Sequence, residues 1–202
     1  MGMTCTLYRV AASDIRRLRD SPEAVEELFF PPGSTPPVVE VREKGLMGWL
    51  LHLIGVKISQ VDPNWEPPEG ADLTDDRVLD LEGVWHGLHY ILTGTAWEGQ
   101  PPASFLIIGG EDIGDEADDN PARLLEPNQV REFSTFLASL SSEEFLRRFD
   151  AERMVALEIS PGIWKQKKDP NPIEMLQSGL DELRKFVATA SEQGEAIVVH
   201  LG

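Results

Sequence analysis

The sequence predicts an α+β fold in which a small mixed sheet holds the N- and C-terminal strands and several helices cover it. Three observations predict it. The opening "TCTLYRV", Thr4 to Val10, alternates and is rich in Thr, Leu, Tyr and Val, the pattern of a strand. The closing "EAIVVHLG" has a near-continuous apolar run at Val198-Val199, the mark of a strand buried on both faces and so not at a sheet edge. Between them lie segments of helical period with start and stop residues, in an alternation too irregular for a doubly wound sheet and without an internal repeat.

The elements follow in order. Ser13 is placed to cap a helix over "DIRRLRD", and Ser21-Pro22 opens a second through "EAVEELFF". "PPGSTPP", Pro31 to Pro37, interrupts regular structure. "GLMGWLLHLIGV", Gly45 to Val56, is the most apolar run. At about a dozen residues it falls short of the roughly 20 that span a bilayer, so it reads as a buried helix, with an interfacial or partner-docking segment as the alternative. "VDPNWEPPEGAD" holds prolines at 63, 67 and 68 and is a linker. The two proline-rich stretches bracket an inserted segment at about 38–60, too short for a core of its own.

Leu81 to Thr93 has helical apolar spacing and ends at Gly94. "PPASFLIIGG" fits a short helix or a buried strand, "EDIGDEADDNP" an acidic loop, and "ARLLE" a short strand. Pro127 begins a helix, and Ser141 with Glu144 has the spacing of a capping box before "SEEFLRRF". "DAERMVAL" adds a turn or two, and "EISPGIW" turns around Pro161-Gly162. Asn171-Pro172 starts the longest helix, which Gly194 ends.

Composition removes some function classes. Apolar residues make up 41%, enough for a sizeable core. With 35 acidic and 18 basic side chains the net charge is −17, a field that repels nucleic acid and anionic lipid and accepts a basic protein or a cationic ligand more readily. Cys5 is the only cysteine, so no disulfide closes within the chain; it reads as a buried, inert thiol in a reducing, cytoplasmic setting. The first residues, "MGMTCTLYRV", lack the pattern of a signal peptide.

"VWHGLHYILTGT", Val84 to Thr95, is the densest concentration of chemistry. At about 100° per residue its apolar side chains centre near Leu88, and Glu82, His86, His89 and Thr93 align along one border of that face. Spacings of four, three and four stack these side chains on adjacent turns. Two neutral imidazoles with a carboxylate can converge on a metal ion, a shared proton or a ligand hydroxyl, and Trp85 and Tyr90 can wall such a point. Glu82, His86 and His89 are the metal candidates, one ligand short of a usual site; the ligand-binding candidates are Trp85, His86, His89, Thr93 and Arg123. The bland alternative is a core helix whose histidines bond to nearby carbonyls.

Other constellations carry less. "GGEDIGDEADDN" lacks the order of an EF-hand and reads as a solvated loop. "KQKK", Lys165 to Lys168, is the sole cationic cluster, a solvated loop or a dock for an acidic partner. No G-x-S-x-G elbow is present.

The opening "MGMTCTLYRV", "LDLEGVWHGLHYILTGTAWEG", "NPARLLEPNQV" and "ISPGIW" before a long helix and a closing strand resemble, in that order, the YfbM-like family of bacterial proteins, a domain of unknown function. The resemblance runs over nearly the whole chain and is weakest from Val38 to Gln60. It implies one α+β domain over 1–202 and carries no activity. Its motif falls on Trp85, His86, His89, Thr93 and Gly94, and more weakly on Pro121, Arg123, Pro161 and Gly162. "NPAR" stands here where Gly-Pro-Ala-Arg is more usual.

Three functions remain open. A binding module would capture a small ligand or a basic protein with the helix strip and Arg123. A hydrolase or transferase would use His86 or His89 as general base. A metal-binding protein would use the imidazoles as ligands. No cofactor is expected, and the apolar run from Leu46 to Ile54 would serve a homodimer as readily as a core.

Overall fold

The computed structural model describes residues 3–30, 38–40, 59–61, 76–115, 120–166 and 171–202. The chain divides into two compact units, Met1–Val25 with Asp75–Gly202, and Glu26–Thr74. In the second, β2 (Val38–Glu40) pairs antiparallel with β3 (Ser59–Val61), Val38 opposite Val61. The apolar run at 45–56, and with it His52, lies outside the described residues.

The first unit is built on a five-stranded sheet. Its strands are β1 (Cys5–Val10), β4 (Val78–Asp80), β5 (Glu111–Ile113), β6 (Ala122–Leu125) and β7 (Ala196–Leu201), in the order β4-β1-β7-β6-β5. The expected α+β class holds, and both terminal strands lie in one sheet. Every pairing is antiparallel, so the sheet is not mixed. The C-terminal strand takes the centre, as its apolar run implied, with Val199 opposite Leu7 on one side and Arg123 on the other. Ala196 to Val199 are all buried.

Among the described residues seven α-helices accompany the strands: α1 (Ile15–Asp20), α2 (Pro22–Phe29), α3 (Trp85–Thr93), α4 (Pro127–Ser139), α5 (Ser142–Arg148), α6 (Ala151–Ala156) and α7 (Pro172–Gln193). Local signals set most of their ends. The Ser21 hydroxyl accepts from Ala24 N–H, Ser141 from Glu144 N–H, and the Asn171 side chain from Ile173 and Glu174 N–H. Gly94 and Gly194 end α3 and α7 with φ of 80° and 67°, where a side chain would be strained. Basic side chains from other elements satisfy the orphan carbonyls at two C-termini. Arg148 donates to Ile91 and Leu92 at the end of α3, and Arg184 to Leu137 and Leu140 at the end of α4.

α7 is the longest element, and it packs on α3 and α4 through a stripe of Leu176, Leu180, Leu183, Val187 and Ala190. Two glycines set how closely the elements approach. A Cβ on Gly87 would lie 2.5 Å from Trp164 Cη2 and 2.8 Å from Leu176 Cδ2, and one on Gly179 would lie 2.9 Å from Val84 Cγ2. Among the described residues no helix is long and apolar enough to cross a membrane.

Some local readings are corrected. Ser13 does not cap α1; it sits inside a 3₁₀ turn, Ala12–Asp14, that delays the helix to Ile15. The helix expected from Leu81 starts as another such turn, Glu82–Val84, and becomes α-helical only at Trp85. "PPASFLIIGG" is neither helix nor strand. It is a string of turns in which Ile107 and Ile108 N–H donate to Ser104 O. The start of the acidic loop is the edge strand β5, paired through Asp112 opposite Arg123. Short, charged edge strands such as β4 and β5 carry little periodic signal.

Candidate functional site

α3 has no polar border. From Trp85 to Leu92 every residue is buried, the two histidines included, with His86 1% and His89 0% exposed. The fourth side of the helix is closed by the chain that follows it and by the 159–164 turn. His86 Nε2 donates to Ala96 O at 2.9 Å, and His86 Nδ1 accepts from Ser160 N–H at 3.0 Å, so both ring nitrogens are used and the ring is the neutral Nε2–H tautomer. His89 Nε2 donates to Glu98 O at 3.0 Å, while its Nδ1 is buried without a partner. Thr93 Oγ1 donates to His89 O at 2.8 Å, one turn back. Trp85 donates its indole N–H to Met3 O, and its ring stacks on His86 with centroids 4.9 Å apart. Trp97, 50% exposed, is tilted against both rings, 4.3 Å from His86 and 5.9 Å from Trp85 between centroids.

The electrostatics follow from this packing. Burial pushes the His86 pKa below its ordinary value, partly opposed by the bond to Ala96 O. Burial takes His89 down to about 4; the bond to Glu98 O opposes this, and the charges of His86 and Arg123 add to it. Both rings are neutral at pH 7. Cys5, fully buried in β1, is pushed up to about 12 by burial and remains a thiol.

Arg123 does not present itself to a carboxylate ligand. It is buried in β6 and donates Nη1 to Phe105 O and Gly109 O, each at 3.2 Å, and Nη2 to Leu106 O at 2.7 Å. It thereby orders the string of turns left undecided by the sequence. Glu82 stands elsewhere again, exposed beside α7. Among the described residues no group of three or more His, Cys, Asp or Glu side chains can hold a metal ion.

Among the described residues a hollow opens beside the segment that leads into α3. A groove of about 540 Å³ runs between the Asp80–Val84 segment and α7. Leu81, Val84, Met175 and Gly179 give it apolar walls, and Asp80, Glu82, Glu174, Ser178 and Glu182 its polar lining, with no basic side chain in it. Glu174, Ser178 and Glu182 recur every four residues on α7 and so share one face. Glu82 sits at φ 41°, unusual for a residue with a Cβ, with its N–H donating to Asp80 Oδ1 at 2.7 Å. Of the groove residues the sequence singled out Glu82 alone. The i, i+4, i+8 polar row was legible in "PIEMLQSGLDEL", but nothing in the sequence said which segment it faces.

Comparison with known proteins agrees with the fold. The family model described as a domain of unknown function (DUF1877) matches residues 1–200. The crystal structure of a protein of unknown function, YfbM from Escherichia coli, is similar at a TM-score of 0.57 and 16% sequence identity, covering 98% of this chain and 99% of that one. None of the curated proteins compared with the chain matches it.

Proposed function

The chain belongs to the DUF1877 family, and because that family carries no assigned activity we propose a function from the geometry alone: a non-enzymatic binding module for a cationic ligand. The groove between Asp80–Val84 and α7 is its site. The ligand class is an ammonium or guanidinium group on an aliphatic stem, either a free amine or a lysine or arginine side chain of a basic protein.

One observation carries this reading. Four carboxylates, from Asp80, Glu82, Glu174 and Glu182, with Ser178, line a groove of about 540 Å³ whose other walls are apolar and which holds no basic side chain. That volume lies in the range of ligand pockets. The carboxylates attract the charged head, and Leu81, Val84 and Met175 take the stem. The net charge of −17 adds long-range attraction for the same sign of ligand. The His/Trp strip then acts as scaffold, since α3 continues directly from the turn that carries Glu82.

A histidine general base finds less support. It needs a ring nitrogen within reach of a substrate proton, and three of the four nitrogens are bonded to main chain while the fourth is buried.

The test is calorimetry on the full-length protein at low ionic strength, with spermidine and a lysine-rich peptide as probes. The expected result is saturable binding of at least one, weakened at least about tenfold in the E82Q/E174Q/E182Q variant. Equal binding by that variant would overturn the assignment, and so would no binding of either probe.

A further inference from the structure

α3 carries two imidazoles that tie it to neighbouring turns through Nε2, and at both rings the surroundings of Nδ1 oppose a second N–H. His86 Nε2 holds Ala96 O while its Nδ1 accepts the Ser160 N–H, so one ring pins two turns that are 64 residues apart in sequence to the same helix. His89 Nε2 holds Glu98 O two residues further along the first of those turns. We propose that the His86–His89 pair is an acid-labile staple: protonation breaks the bond from Ser160 N–H to His86 and releases the Ser160 turn from α3, while the Nε2 bonds keep the 95–98 turn in place and the sheet stays folded.

The chemistry requires little else. A proton added to His86 goes to Nδ1, which then points an N–H at the Ser160 N–H; two donors face each other and the bond is lost. A proton added to His89 also goes to Nδ1, where the buried N–H has no acceptor. The charged groups around the pair do not rescue it. Arg123 from β6 and the other imidazole both act against a positive charge on His89. Asp112 and Cys5 act on Arg123 rather than on the rings. Glu98 and Glu158, the acidic residues nearest in sequence to the stapled turns, are exposed, and Glu98 contributes its carbonyl to the staple. Trp85 and Trp97 pack against His86 without offering an acceptor to its ring N–H. Release is local because the bonds at risk lie outside the sheet, whose strands pair through backbone alone.

The experiment is amide hydrogen exchange by NMR on the full-length protein between pH 7 and 5, corrected for intrinsic rates. Ser160 N–H is the reporter and the Val198 and Val199 amides are the control for global unfolding. His86 sits below its ordinary pKa when stapled and regains it when released, so the open population rises as pH falls through that range. The expected result is a rise of several-fold at Ser160 between pH 7 and 5, Val198 and Val199 amides that stay far better protected than Ser160 at every pH, and loss of the Ser160 rise in H86Q/H89Q. A change under about twofold in the wild type would overturn the staple, as would a rise that persists in the double variant. If that variant does not fold, the imidazole ¹⁵N shifts of the wild type decide: the staple requires both rings to be Nε2–H at pH 7 and to titrate below 6.5, and either ring titrating at or above 6.5 contradicts it.

Discussion

His89 shows how a single buried atom sets the behaviour of its surroundings. Its pKa lies at about 4 in the folded chain, below the ordinary 6.5 that it regains on unfolding. The unfolded chain therefore binds more protons between those values, so stability is fully present above pH 6.5 and is lost as pH falls toward 4. The loss amounts to about 3 kcal/mol over that window if this ring acts alone. Urea unfolding at pH 7, 5.5 and 4.5 checks it: the wild type should lose stability steadily and His89→Gln should show a shallower slope. Arg123 illustrates the complementary case of a buried cation spent on main chain. Arg123→Met leaves the carbonyls of Phe105, Leu106 and Gly109 without that donor and should cost about 2–4 kcal/mol. Arg123→Lys should recover only part of this, because one ammonium cannot reproduce the planar fork. Thermal unfolding of both variants reads the difference.

At the scale of elements, close approach decides the architecture around α3. Gly87 meets Trp164 and Leu176 at distances no Cβ tolerates. Gly87→Ala should therefore cost about 1–3 kcal/mol by overpacking, although alanine is the better helix former. A positive shift in the midpoint of urea unfolding would contradict this account of the packing. The same scale explains what the sequence could and could not tell. Asn171-Pro172, Ser141 and Gly194 announced helix ends because caps act within one turn of chain. Val198-Val199 announced a central strand because burial on both faces removes alternation. A helical wheel puts His86 and His89 on a polar border because it shows only the helix itself. The cover over that border comes from Ala96 to Glu98 and from Ser160, and spacing within α3 carries no trace of either. The three-residue strand Val78–Asp80 leaves no signal for a related reason, being too short for a period and defined by its partner β1.

The whole molecule adds the long-range field. A net charge of −17 repels itself, and added salt screens that repulsion while also screening attraction for a cationic ligand. Raising ionic strength from about 0.02 to 0.3 M should thus raise the thermal midpoint of the free protein and weaken spermidine binding in the same series, a divergence that nonspecific destabilisation cannot mimic. Differential scanning fluorimetry and calorimetry across one salt series measure both. The family resemblance read from "VWHGLHYILTGT" and its companions holds at this scale too, with the family model running from residue 1 to 200. The histidines of the motif mark a packed interior, and the groove is lined by the residues just before them, Asp80 to Val84, together with α7.

The most direct test of the central claim is a map of backbone amide shifts on the full-length protein as spermidine is added at low salt. The groove account predicts that the largest changes fall on Glu82, Glu174, Met175, Ser178 and Glu182, and that they vanish in E82Q/E174Q/E182Q. Changes centred instead on His86, His89, Thr93 and Trp97 would contradict it and return the site to the histidine strip.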